Sequence, residues 1–449
     1  MSLGGLRGPR SRPTRSTADT RPAKHVGMDV SSRVVGLTAA PVGRVEPQDP
    51  GAAWSLDPTV TFLNHGSYGA CPMPVLAAQQ AWRDRLEAEP VRFLGRQLEG
   101  HLDAARAEVA AFVGADPDDL AFVSNASSGV STILRSLRFR PGDEILVNNH
   151  EYNAAINAAR FAAERDGAQV VVAEIPFPIR DPGQVVDAIL ARVTPRTRLA
   201  LISHVTSPTA LIFPIADLVR ELEQRGIDTL VDGAHAPGML PLAIDAIGAA
   251  YYTGNGHKWL CGPKGSAFLH VRRDRQSEIR PLTISHGANS VRTDRSRFRI
   301  EFDWIGTIDP SAVLALPTAI QFMGSLLPGG WPELMEANQA LARAGRDVLC
   351  RALKVKAPAP DEMLGSMATV PLPENGPSSN PSDTAEVGEA LFRTYRIEAP
   401  VLEAPVPFGT AGDARNAAPT RLVRISAQRY NDIRQYASLA DALVEILGV

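Results

Sequence analysis

IDTLVDGAHAPGMLPLAIDAIGAAYYTGNGHKWLCGPKG, residues 227–265, opens on an apolar run, Thr229–Val231, that reads as a buried strand ending at Asp232. A carboxylate at such a strand end, followed by small residues and His235, sits where open α/β sheets place their ligands. A second short strand, Tyr251–Thr253, leads into Asn255-Gly256-His257-Lys258-Trp259, with Gly254, Gly256, Gly262 and Gly265 around it. Glycines there permit a sharp turn and a close backbone approach to a ligand. Lys258 is thus set in a tight turn at a strand end, not on a solvated helix face. An acid on one strand and a lysine after the next suit a cofactor clamped between them.

Working outward, strand-like runs fall at 120–124, 144–148, 169–175, 199–205, 229–232, 251–253 and 266–271. Helical patterns separate them: Val130, Ile133, Leu134 and Leu137 share one face, as do Ile215, Leu218, Val219 and Leu222. Residues 74–89 and 99–113 read as amphipathic helices that precede the first strand. The alternation implies an α/β fold, a mainly parallel seven-stranded sheet covered by helices. After about residue 310 the pattern turns helical through 311–353, then to a strand near Leu422–Ser426 and a final helix. We therefore expect a large domain over 76–310 and a smaller α+β C-terminal domain over 311–449. A Pro/Ser/Asn-rich loop is expected at Pro371–Ser382.

The 449 residues, 44% of them hydrophobic, are enough for two such domains. A net charge of −3 gives no electrostatic case for a nucleic-acid partner. Three cysteines, Cys71, Cys261 and Cys350, share no CxxC spacing and point to a reducing, cytoplasmic setting. No apolar run approaches the ~18–20 residues of a membrane helix. Residues 1–50, rich in Arg, Pro, Ser and Thr, are expected to be a disordered leader, with Met28 as an alternative initiator. Residues 51–75 form an N-terminal arm before the large domain. No G-x4-G-K-[ST] or complete G-x-G-x-x-G is present, so neither nucleotide-binding fingerprint is met. The histidines show no HExxH or comparable spacing, so no metal is expected.

DGAHAPG at 232–238 and GHKW at 256–259 resemble the motifs of the class V aminotransferases, within the pyridoxal phosphate (PLP) fold type I superfamily. Isopenicillin N epimerase-like enzymes are the nearest in pattern, and Leu63–Gly69, LNHGSYG, is similar to their arm over the active site. The resemblance spans roughly residues 54–449. It implies that Lys258 holds the aldehyde of pyridoxal 5′-phosphate as a Schiff base and then moves the substrate Cα proton. Asp232 would keep the ring nitrogen protonated, and His235 would contact the ring oxygen or the phosphate.

Ser127, with Ala126, lies between a strand and a helix, where the family binds the phosphate; read alone, such a serine is equally an ordinary helix N-cap. His257 would add a phosphate contact. Tyr152 best matches the ring stacked on the cofactor, with His150 as second candidate, and is also a candidate second acid. His204 stands where desulfurases have an asparagine near the ring oxygen. Glu301–Pro310, EFDWIGTIDP, resembles a segment in which Gly306 and Thr307 would reach the partner subunit's phosphate, which implies a homodimer with shared sites. Val423-Arg424-Ile425-Ser426 with Tyr430-Asn431 resembles the substrate motif, making Arg424 the grip on an α-carboxylate. Asn64 and His65 of the arm would join it in binding substrate.

The resemblance implies chemistry at the Cα of an amino acid or peptide-like metabolite. Epimerisation is the first reading. β-Elimination on a cysteine conjugate, as in hercynylcysteine sulfoxide lyase, and transamination are the alternatives. A desulfurase needs a nucleophilic cysteine on a mobile loop; Cys350 falls instead in an amphipathic run, Leu341–Leu353, and reads as core.

Overall fold

The computed structural model describes residues 50–373, 384–405 and 420–449. The leader expected before residue 50, and the part of the Pro/Ser/Asn-rich loop beyond residue 373, lie outside them.

Twelve strands are present among the described residues: β1 (Thr61–Phe62), β2 (Leu120–Val123), β3 (Glu144–Asn148), β4 (Gln169–Ala173), β5 (Thr197–Ser203), β6 (Asp228–Asp232), β7 (Tyr251–Asn255), β8 (Ala267–Val271), β9 (Met367–Pro371), β10 (Ile397–Glu398), β11 (Val401–Ala404) and β12 (Thr420–Ser426). Seven of them form the expected sheet, in the order β2-β8-β7-β6-β5-β3-β4. All of these pairings are parallel except the two made by β8. Strands covered on both faces read as unbroken apolar runs, which is why β3, β7 and β8 are buried along their whole length. At the edge, β4 stays partly exposed. The strands end where the sequence places them, to within a few residues.

The helices between strands pack as their periodicity requires. Val130, Ile133 and Leu134 of Ala126–Ser136 are fully buried on one side of the sheet. Ile215, Leu218 and Leu222 of Ile215–Glu223 are buried in a second layer, with Trp259 and Tyr252. A separate apolar cluster gathers Val370, Val423 and Ile425 with Tyr436, Leu439 and Leu443 of the helix Ile433–Leu447. It covers the antiparallel sheet β11-β12-β9, the smaller C-terminal unit. The arm is drawn into this unit: β1 pairs in parallel with β10, and Leu63 is buried in its cluster. Among the described residues, no helix is long and apolar enough to cross a membrane.

Candidate active site

Because the parallel strands run the same way, their carboxyl ends share one edge of the large sheet. Segments following β2, β3, β5, β6 and β7 meet there around a cavity of about 450 Å³, also lined by Gly66, Ser67, Tyr68 and Arg424. Asp232 ends β6 with its side chain buried, accepting the N–H of Ala234 at 2.9 Å. Burial raises its pKa, while that N–H and Lys258 oppose the rise. Lys258 leaves β7 in a tight turn, and its Nζ lies 2.9 Å from Nε2 of buried His235. Burial, aided by Arg424 and opposed by Asp232, pushes the amine from its usual 10.5 down to about 7.

Two glycines let the surrounding segments close on this turn. Gly238, at φ +85°, lies where a Cβ would stand 2.5 Å from the Trp259 carbonyl. Gly69, at φ +65°, lies where a Cβ would stand 2.3 Å from the His257 oxygen. Both conformations also favour glycine outright, so the motifs DGAHAPG and LNHGSYG end as they do for steric reasons.

Arg424, 4% exposed, lines the same cavity. Its Nη1 donates to the Ser207 carbonyl at 2.6 Å and Oγ at 3.2 Å; its Nη2 donates to Ser67 Oγ at 2.8 Å and Asn64 Oδ1 at 3.5 Å. Among the described residues its Nε has no hydrogen-bond partner, and it forms no salt bridge. Burial brings its pKa down to about 10, with Tyr152 opposing. A buried cation without a counter-ion is costly, so an anion in the cavity would stabilise this guanidinium.

Ser127 is exposed and lines the cavity at the start of the helix Ala126–Ser136. Ala126 lines it too, but its N–H donates to Asn255 Oδ1 at 2.8 Å, and the Ser128 N–H is capped by Asn125. The Ala126 amide is therefore engaged by Asn255 in this structure. His257 donates from Nδ1 to the Ser266 carbonyl at 3.0 Å. Burial holds its ring neutral, with a pKa of about 4, so an anion at the remaining Nε2 would have to draw a second proton onto the ring.

Tyr152 lines the cavity, 46% exposed, whereas His150 is fully buried and bonded to Thr209 Oγ1 at 2.8 Å and the Ile175 carbonyl at 3.2 Å. Three expectations need correction. His204 does not line the cavity: the alternation along a strand end turns Ser203, Val205 and Ser207 toward it and His204 away, 2.9 Å from the Tyr252 hydroxyl. His65 is fully buried under the cavity wall, bonded to the Tyr430 hydroxyl at 2.7 Å and the Lys258 carbonyl at 3.0 Å. Asn64 reaches the site only through Arg424 and Ser67, its Nδ2 being held by Glu398 at 3.0 Å. Gly306 and Thr307 lie away from this cavity; Gly306 lines a different, apolar one.

Glu151 was not foreseen. It is fully buried and accepts from Ser203 N at 2.8 Å, Ser203 Oγ, Tyr152 N at 3.0 Å and Asn148 Nδ2 at 3.3 Å. Burial first, then the neighbouring Asp232, pushes it up to about 7. Asn255, Ser67 and Ser207 were also missed; each holds a foreseen residue or helix end through a contact distant in sequence.

Pyridoxal phosphate fits these residues. A carboxylate for a ring cation, an uncharged amine for an aldehyde, and a hydroxyl at a helix N-terminus for a phosphate all face one cavity.

The family model for aminotransferase class-V matches residues 69–379. Isopenicillin N epimerase of Streptomyces clavuligerus is 36% identical over 411 residues, covering 88% of this chain and 96% of that protein. A probable chloroplastic L-cysteine desulfhydrase of Arabidopsis thaliana is 30% identical over 402 residues, covering 86% and 83%. In fold, a cysteine desulfurase of Escherichia coli superposes with a TM-score of 0.71 at 20% identity, covering 89% of this chain and 97% of that one. The chain therefore belongs to the class-V aminotransferase family of pyridoxal-phosphate-dependent enzymes, and pyridoxal 5′-phosphate is its cofactor.

Proposed function

We propose that this enzyme epimerises an amino-acid-type substrate at Cα. The observation that carries the reading is the pairing, in one cavity, of the buried Lys258 amine, its pKa pushed down to about 7, with a buried Arg424 guanidinium that has no carboxylate partner among the described residues. When bound, pyridoxal phosphate supplies an aldehyde for the lysine amine and a ring that accepts the electron pair left when a bond to Cα breaks.

Arg424 holds the substrate carboxylate, which fixes Cα relative to the sheet edge. Lys258 Nζ, its pKa pushed down to about 7, takes the Cα proton and is poised to give it back. Asp232 would face the ring nitrogen, His235 the ring oxygen, and Ser127 and His257 the phosphate. Tyr152, its N–H pinned to Glu151, lines the same cavity and would be the acid that returns a proton to the other face of Cα. Persulfide chemistry of the desulfurase kind does not suit the site, because none of the three cysteines lines the cavity. Cys350 packs against the C-terminal cluster. Gly306 and Thr307, exposed or half-buried away from this cavity, support a homodimer in which each copy completes its partner's site. Free thiols at all three cysteines suit a cytoplasmic enzyme.

The test is a panel of L-amino acids and short peptides in heavy water, with products read by NMR and chiral chromatography. Deuterium at Cα with loss of chirality is the expected result. Pyruvate and ammonia from a cysteine conjugate, with no racemised substrate, would replace epimerisation by β-elimination.

A further inference from the structure

Trp259 follows Lys258 directly, and no step above uses it. Its indole is fully buried, with the His65 ring 4.8 Å away. The contact of Gly238 with the Trp259 backbone packs the turn carrying His235 against the turn carrying Lys258. Across that contact the Trp259 Nε1–H donates to Nδ1 of His235 at 3.4 Å.

An indole nitrogen can only donate, so Nδ1 of His235 must be the bare ring nitrogen. Burial, with the nearby Arg424 guanidinium, keeps this imidazole neutral by pushing its pKa well down. A neutral ring with a bare Nδ1 carries its proton on Nε2. That nitrogen lies 2.9 Å from Lys258 Nζ and must donate to it. An amine nitrogen accepts a hydrogen bond only as the free base. The chain of contacts therefore has one consistent direction, from indole to imidazole to amine.

We propose that Trp259 is a positioning residue: its N–H fixes the tautomer of His235, which in turn holds the Lys258 amine uncharged and at the cavity wall. Without that N–H, His235 could place its proton on Nδ1 and offer Nε2 as an acceptor, the arrangement that favours a protonated lysine. The consequence for catalysis rests on Lys258 being the reactive amine. The tautomer itself does not, so the two readings can fail separately.

The experiment is 15N NMR of the full-length, cofactor-free protein labelled at its nine histidines. His235→Gln identifies the His235 ring signals. The expected wild-type spectrum shows Nε2 in the protonated range and Nδ1 in the bare range. Trp259→Phe keeps an aromatic ring but deletes the donor, and His235 should then populate both tautomers. The same variant should capture free pyridoxal phosphate several-fold more slowly than wild type just below neutral pH. A wild-type His235 with its proton on Nδ1, or an unchanged tautomer in folded Trp259→Phe, overturns the proposal. If Trp259→Phe fails to fold, the wild-type spectrum decides alone.

Discussion

Asp232, His235 and Lys258 come from one stretch of chain and two adjacent strands, whereas the guanidinium of Arg424 is held by residues 64, 67 and 207, from two other segments. The first group is fixed by sheet register: Asp232 pairs with Thr253 across β6 and β7, so the acid and the lysine turn cannot move independently. The second group is an assembly of loops and one antiparallel strand, joined by hydrogen bonds between residues as many as 360 positions apart. On the proposed function, strand ends would carry the part of the site that handles protons. Loop segments would carry the part that chooses the substrate, as expected where one scaffold serves several reactions.

The largest effect should come from the register-built end. Lys258→Ala is expected to lower turnover by about 10⁴-fold or more, since among the described residues no other lysine lines the cavity. The variant should also lose the visible absorption band that borohydride abolishes in the wild type. Near-normal turnover, measured after supplying pyridoxal phosphate, would sink the assignment of that whole end.

Arg424→Met probes the other end and should separate stability from function. Removing the guanidinium should cut kcat/KM by about two to three orders of magnitude, through loss of a buried contact to the carboxylate. The melting temperature should hold or rise, because a buried cation with an unpartnered Nε gives way to an apolar chain of similar length. A clear drop in melting temperature would show that Arg424 braces the arm and does not wait for an anion.

How much of this was legible follows the same division. Asp232 and Lys258 could be read because each sits at the end of an apolar run beside glycines that have a visible steric purpose. All seven strands of the large sheet announced themselves by their apolar runs. His204 was misplaced because the segment names the strand end but not the face, and a shift of one residue along an extended chain reverses the side. His65 looked like a substrate contact because the arm does lie at the site; its true partner, Tyr430, is 365 residues away. The importance of Glu151 depends on complete burial beside Asp232, and burial beside another strand's acid has no local signature. Arg424 was singled out by its motif, yet its lack of a counter-ion among the described residues shows only in three dimensions.

The two ends are coupled electrostatically, and pH can measure the coupling. The amine of Lys258 is competent when neutral, and its pKa of about 7 places the acid limb of cofactor capture by the apoprotein there. Well below that value the rate should fall about tenfold per pH unit. Arg424 is one cause of the depression, so Arg424→Met should move the limb to higher pH. The sign for stability is the reverse of a paired lysine. The unfolded chain holds this proton up to about 10.5 while the folded one releases it near 7, so the folded state binds fewer protons between those values. Stability should therefore gain from this group as pH rises across that window, and Lys258→Met should flatten the gain in a urea-unfolding series. An acid limb that stays put in Arg424→Met would uncouple the two ends.

The smallest effects are expected from residues that chemistry alone makes attractive but geometry sets aside. His204→Asn should leave kcat/KM within about threefold, since its Nδ1 is engaged with Tyr252 behind the cavity wall. Cys350→Ser should do the same: the thiol packs beside the C-terminal cluster, on the helix Gly330–Ala352, and burial raises its pKa. A thiol held protonated and off the cavity cannot act as a sulfur acceptor. This variant matters because the solved desulfurase shares the fold closely, and fold alone would suggest a catalytic cysteine. If Cys350→Ser abolished turnover on a cysteine-type substrate while sparing cofactor capture, a thiol would have to reach the site, and the loop-built end would extend to the helix that carries it.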